Sequence, residues 1–330
     1  MNALIHKFTG KTSDGEATLS ERIFTSLKVA TLPIFGIVVF LLLWSLAAKQ
    51  IDTSLGKFPG PQSVAQEVVG LYNEHVAERE KADAFYERQE KRNAARVAKD
   101  PTYEPRIRNY TGKETFLDQI VTSLITVMSG FILAAVFAVP LGVLLGLSSA
   151  FNTAVNPIIQ IFKPVSPLAW LPLVTMVVSA TYVSDDPFFA KSFVNSVITV
   201  MLCCIWPMII NTSIGVASVD SDWLNVGKVL QLSPIKKIQK IVLPASIPAI
   251  FTGMRMSLGI AWMVLIAAEM LAQNPGLGKF IWDEFQNGSS SSLSRIMTAV
   301  LVIGLIGFCL DRAMLVIQRW VSWDKASAAR

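Results

Sequence analysis

Histidine is almost missing from this chain: His6 and His75 are the only two in 330 residues, and neither lies in an apolar run. That removes the usual imidazole metal sites and proton shuttles. Cysteine is nearly as sparse. Cys203, Cys204 and Cys309 all fall inside apolar runs; an odd, buried set argues against a disulfide framework and reads as small apolar packing residues. Charge is scarce too, at 16% of residues against 52% hydrophobic, where soluble globular proteins carry about a quarter charged. The net charge of +5 is not gathered into a basic face with interleaved aromatics, so nucleic acid is not an expected partner. A phosphate-binding loop is lacking as well. Gly10-Lys11-Thr12 imitates the end of one, but Ile5 stands where its first glycine belongs. The chain is therefore not expected to bind and hydrolyse ATP by itself.

What is present is long apolar runs, at 28–48, 118–147, 164–182, 192–212, 246–271 and 297–318. Each approaches the roughly 20 residues that cross a bilayer as a helix. The pattern predicts an all-α, polytopic membrane protein with about six transmembrane helices. The third run is the weakest, because it holds Pro164, Pro167 and Pro172; such breaks survive in lipid only where protein or a polar cavity covers the freed backbone. The first run follows a polar segment and has no small-residue cleavage site, so it reads as a retained helix, with 16–27 as a short surface helix before it. In the second run Gly130, Gly142 and Gly146 predict close helix approach.

Basic residues set an orientation. Lys7, Lys11, Arg22, Lys28, Lys163, Lys228, Lys236, Lys237, Lys240, Arg319, Lys325 and Arg330 fall on one side, and only Lys191, Lys279 and Arg295 in the short loops opposite. Both termini are thus expected in the cytoplasm. The resulting division is a cytoplasmic segment 1–27, a first span 28–48, a long periplasmic loop 49–117, a transmembrane core 118–322 containing a cytoplasmic loop 220–245, and a tail 323–330. The long loop is basic, but loops of this length largely escape the rule. Its part 72–99 is rich in Glu, Lys, Arg and Ala, and Glu87–Lys91 and Glu78–Lys81 have helical spacing. A charged helix is predicted there, followed by an irregular piece at 100–112. It is either a surface for an external partner or a solvated spacer.

Three further segments suggest function. The stretch 222–248, DWLNVGKVLQLSPIKKIQKIVLPASIP, scans as two short helices. Asp222 is expected to cap the first, and Ser233 the second with Pro234 in its opening turn. Leu243-Pro244 is expected to end the second helix. A basic helix–turn–helix between spans suits a docking knob for another protein; the plain alternative is an amphipathic loop. The stretch 160–173, QIFKPVSPLAWLPL, puts Lys163 and Trp170 at a broken helix of the kind that lines substrate paths. In the fifth run, Arg255, Gly259, Trp262, Ile266 and Glu269 share one helix face, and Arg255, Trp262 and Glu269 are candidate translocation-path residues together with Lys163 and Trp170. Arg255 either attracts a flat oxyanion with its planar fork or snorkels to the surface. Glu269 is expected to cap or pair locally, and Asp311-Arg312 to form a structural pair.

These residues carry a resemblance. Ile241, Leu243 and Pro244 fit the coupling-loop pattern of ATP-binding-cassette importer permeases, which runs Glu-Ala-Ala, three residues, Gly, nine residues, Ile, one residue, Leu-Pro. Asn225-Val226-Gly227 stand where Glu-Ala-Ala is expected and Gln231 where the glycine is expected, so that half departs. The 160–173 stretch, PAIFTGMRMSLGIAWMVLIAAEML at 248–271, Gly276-Leu277-Gly278 and Leu310-Asp311-Arg312 resemble the nitrate/bicarbonate branch of the nitrate–sulfonate–taurine group. The resemblance spans about 116–322 and omits the charged insertion. It implies a type I importer permease fold (MetI-like) in a bacterial inner membrane, moving nitrate, nitrite or cyanate, or alternatively bicarbonate, taurine or another sulfonate. It implies a second permease copy, two cytoplasmic ATPase subunits that use ATP and Mg, and a periplasmic or lipid-anchored solute-binding protein. No cofactor is expected on this chain. A self-powered transporter or channel, the rival reading, usually carries intramembrane acid or His relays or inverted repeats. A membrane enzyme would need a catalytic cluster, and none is evident.

Overall fold

The structure, a computed structural model, describes residues 19–53, 56–100, 102–183, 188–289 and 291–321. The chain divides after Ser63 into two units. In the first, α1 (Leu19–Gln50) is one continuous helix of 32 residues. The separate surface helix expected before the first span is not seen: residues 19–27 belong to α1, and 16–18 lie outside the described residues. No glycine or proline interrupts 19–30, so nothing stops the helix there. Beyond α1, β1 (Asp52–Thr53) and β2 (Gly56–Lys57) form a minimal antiparallel ladder, and the Trp44 indole donates to Pro59 O at 3.1 Å.

The remaining helices are α2 (Pro61–Lys99), α3 (Phe116–Leu147), α4 (Ser149–Phe162), α5 (Pro167–Thr181), α6 (Lys191–Ala217), α7 (Ser221–Val229), α8 (Pro234–Lys237), α9 (Leu243–Ala272), α10 (Leu277–Asn287) and α11 (Ser292–Val321), with a π turn at Ile238–Val242 before α9. Among the described residues five helical runs are long and apolar enough to cross a membrane, or six if the α4–α5 pair is one span. That pair corrects the third predicted span. It is not a helix over 164–182 but two helices bent by 99°. Pro164 and Pro167 deny the break two backbone donors, and the Ser166 side chain accepts from Leu168 N to start α5.

The core is built around α6. Its residues Val200, Cys204 and Met208 are fully buried, and α3 and α9 pack on either side of it. Gly130, Gly142 and Gly146 do what their spacing predicts. A Cβ at each would come within 2.7, 2.6 and 2.5 Å of Val200, Thr212 and Val216 on α6, so only glycine lets the two backbones approach this closely. On the other side Gly253 of α9 meets Asn211, and Gly215 of α6 meets Ala249. Both helices are thus fixed to α6 by small residues. α3 begins on a capping box: Asp118 N donates to the Thr115 hydroxyl, and Thr115 N to the Asp118 carboxylate.

The charged helix is longer than its composition suggests, 39 residues from Pro61. Glu87–Lys91 and Glu78–Lys81 pair as expected. The piece after it is a strap that returns along the helix. Arg108 N donates to Gln89 Oε1 at 2.9 Å, Tyr110 N to the Tyr86 hydroxyl at 3.1 Å, and the Tyr110 hydroxyl to Glu78 Oε1 at 2.7 Å. The Tyr110 hydroxyl and then Lys81 hold the Glu78 carboxyl below its ordinary range, and the same bond raises the Tyr110 phenol. Nearer the core, Arg295 in the first turn of α11 meets three carboxylates. Its guanidinium donates to Glu67 at 2.9 Å, to Glu284 at 3.0 Å and to Glu74. One side chain therefore ties α2, α10 and α11 together.

Candidate functional site

The knob at 220–245 forms between α6 and α9. The cap of α7 is Asp220, whose carboxylate accepts from Asp222 N at 2.9 Å. Asp222 was expected in that role and instead sits in the first turn, where its charge favours the positive end of the helix. The inner side of α7 rests on a small apolar cluster of Val143, Val216 and Val242, joined by Leu224, Ile238 and Leu243. Gly227 is buried there, and a Cβ on it would reach 2.9 Å from Ile241 Cδ1. The outer side is apolar and open: Trp223, Val226, Val229 and Leu230 are all exposed. Sequence reasoning centred on motif positions and missed these four. Their spacing of three to four residues was the available signal.

The end of α7 explains the pattern's glycine. Leu232 N donates to Gly227 O and Gln231 N to Lys228 O, the paired bonds of a Schellman motif. Its left-handed position is Gln231, at φ 49°. Glycine is favoured there because it has no Cβ to crowd the following carbonyl. Asn225, in the Glu-Ala-Ala region, is exposed and accepts from Lys228 Nζ at 3.1 Å.

Two expectations for the second half are corrected. Ser233 precedes α8, but its side chain makes no capping bond; Pro234 occupies the first turn as expected. Leu243-Pro244 does not end a helix. Helical backbone runs unbroken from Pro234 to Ala272. The π turn makes this possible: Leu243 N donates to Ile238 O, five residues back, so the ladder has already shifted register where Pro244 lacks its donor.

At the broken span, Lys163 is exposed at the bend and has no acidic partner among the described residues. Trp170 stacks on Phe162 at 5.8 Å between centroids, and Phe162 on Trp206 at 6.2 Å. The indole nitrogens of Trp170 and Trp206 are both buried without an acceptor. Trp206, on α6, was not singled out in the sequence.

The stripe on α9 serves two neighbours. Arg255 donates to Asp311 Oδ1 through Nε and Nη2, at 3.1 and 2.9 Å. This corrects the Asp311-Arg312 pair. Adjacent helix residues point in different directions, and the Arg312 guanidinium lies over the Phe308 ring instead. Trp262 donates to Ile303 O at 3.0 Å. With Arg255, Gly259, Gly307 and Asp311 it lines a cavity of about 40 Å³ between α9 and α11. Glu269, at the other end, is 1% exposed. It accepts from the Ser123 hydroxyl and from Gly278 N at 2.9 Å, while Leu277 N donates to the same hydroxyl. The first turn of α10 is thus capped from α9 and α3. A side chain at Gly276 would collide with the Glu269 carboxylate.

These features can be set beside known proteins. A family model described as the binding-protein-dependent transport system inner membrane component matches residues 138–323. The nitrate import permease protein NrtB of Synechococcus elongatus is 37% identical over 204 residues, 62% of this chain and 69% of that protein. The bicarbonate transport system permease protein CmpB of the same organism is 32% identical over 291 residues, 88% of each chain. A chain of the MetNI methionine ABC transporter, in an inward-facing form, aligns with a TM-score of 0.52 at 15% identity, over 63% of this chain and 96% of that one. Sequence, fold and family match agree: the chain belongs to the binding-protein-dependent transport system inner membrane components, with a MetI-like ABC permease fold.

Proposed function

We propose that this chain is the membrane-spanning subunit of an ATP-driven importer for a small oxyanion, with α7 as the element that receives the ATPase. The observation that carries this reading is the two-sided nature of α7. Its inner side is locked to α3, α6 and the base of α9, while Trp223, Val226, Val229 and Leu230 stay exposed. An apolar patch of that kind in a cytoplasmic loop costs solubility unless a partner covers it. The partner is a cytoplasmic ATPase that supplies ATP and Mg chemistry. Two permease copies, two ATPases and an extracytoplasmic solute-binding protein complete the assembly in a bacterial inner membrane, with both termini cytoplasmic. The likeness to NrtB favours nitrate. The longer alignment with CmpB favours bicarbonate as the second reading.

Copurification tests the docking. Tagged wild-type chain is expected to retain the ATPase through purification. Val226→Asp with Leu230→Asp is expected to lower retention at least tenfold while the chain still inserts, since each change buries an unpaired charge at the contact. Undiminished retention would sink α7 as the docking element. Uptake of labelled nitrate and labelled bicarbonate in a deletion strain then decides the cargo.

A further inference from the structure

The far half of α2 and its strap lie outside the 138–323 region matched by the transport family. Between them is a cleft of about 240 Å³ lined by Arg92 and Arg96 from the helix and Arg106 and Arg108 from the strap, with no carboxylate in its wall. None of the four guanidinium groups pairs with an acid among the described residues. Neutral contacts hold the walls: Asn93 donates to Arg106 O at 3.0 Å, Arg108 N to the buried Gln89 at 2.9 Å, and Arg96 to the Tyr103 hydroxyl at 3.1 Å. The strap backbone is therefore fixed against the helix, and the Arg96 guanidinium is held by Tyr103. The mutual repulsion of the four arginines is left for an anionic occupant to relieve.

The size and the rim indicate which occupant. About 240 Å³ corresponds to about eight waters at ~30 Å³ each, far more than one small oxyanion fills. Ile107, between two of the arginines, is 81% exposed. Ile107 is not part of the cleft wall and offers an exposed apolar contact on the strap beside it. Four arginines, each able to grip a carboxylate with two parallel N–H bonds, next to such a contact have the composition of a protein-docking spot.

We propose that this arginine cleft is a docking site for paired acidic side chains on the surface of an extracytoplasmic protein partner. The reading above is used only for the side of the membrane on which the cleft lies.

The test uses the full-length chain in phosphatidylcholine nanodiscs and a fluorescent peptide bearing a Glu-Glu-Leu-Glu-Glu core, with its Gln counterpart as control. The acidic peptide is expected to bind, the Gln peptide not, and the affinity to fall as salt rises. Arg106→Glu with Arg108→Glu should weaken binding at least tenfold, because both side chains face the cleft while their ties to α2 run through backbone atoms. The matching Lys pair should retain an intermediate affinity. Lys57→Glu, which does not line the cleft, should bind as wild type does. Equal binding of both peptides, or full binding by the Glu double variant, overturns the proposal. So does displacement of the peptide by micromolar nitrate, bicarbonate or phosphate, which would make this a small-anion site. So does arginine-dependent capture of phosphatidylglycerol vesicles without peptide binding, which would assign it to lipid. ATPase retention through α7 does not involve these arginines, so either reading can fail without the other.

Discussion

Gln231 is a residue in an uncomfortable place. It holds a left-handed backbone at φ 49°, and that conformation costs an L-residue about 1–2 kcal/mol. Gln231→Gly is therefore expected to stabilise the folded protein by about 1 kcal/mol. Thermal unfolding in detergent measures this as a raised midpoint, and Gln231→Val should lower it. The departure from the coupling pattern was visible in the sequence, but its meaning was not. Only the backbone angle shows that the glycine of the pattern serves a helix stop, which this chain accomplishes with a strained glutamine. Arg255 and Glu269 were legible in a similar half-way fashion. Charges in apolar runs are conspicuous, but Asp311 lies 56 residues from Arg255 and Ser123 lies 146 from Glu269, and no local spacing connects residues so distant.

At the scale of elements, apolar length is a local property, and the runs at 118–147, 192–212 and 297–318 fall inside the helices Phe116–Leu147, Lys191–Ala217 and Ser292–Val321, while the first and fifth helical runs begin about ten residues before the apolar ones. The sequence misjudged the breaks. α4 was not anticipated, since its apolar residues are spread over one face and never form a long run. The π turn has no composition signal and converts an expected stop at Leu243-Pro244 into continuous helix. α2 depends on a long-range contact the sequence did not reveal, the Arg295 cluster. Arg295→Ala would leave Glu67, Glu74 and Glu284 facing one another without a cation, with an expected cost of about 3 kcal/mol. Limited proteolysis should then cut α2 while the spans remain intact, and Arg295→Lys should restore part of the protection. The strap carries its own pH limits. Glu78 sits below its ordinary 4.5, so its contribution is complete above that value and is lost as pH falls through the lowered one. Tyr110 sits above its ordinary 10.0, so its contribution is complete below that value and is lost as pH rises through the raised one. Spin labels at Asp83 and Asn109 should report a constant separation between these limits and a wider one beyond each.

For the whole molecule, the decisive property is which parts share a compartment. The proposed orientation sets α7 in the cytoplasm and the strap outside. In a variant with its three cysteines replaced by alanine, expressed without its partner subunits, Val229→Cys should react with a membrane-impermeant maleimide only after the membrane is opened. Ile107→Cys should react in intact spheroplasts. Both positions are exposed, at 82% and 81%, so accessibility within the fold does not limit either reaction. Labelling in the reverse order would invert the topology and remove α7 from reach of a cytoplasmic ATPase.

The unbroken run from Pro234 to Ala272 has a mechanical consequence. A loop between α8 and α9 would let the knob swing and absorb a push; here helical backbone continues for 39 residues, about 58 Å at 1.5 Å per residue, with the π turn as its one register shift. Its base is wedged to α7 through Ile241 and Gly227, and near its far end Glu269 grips the start of α10. In the arrangement proposed above, a push on α7 would reach the start of α10 through this single strut.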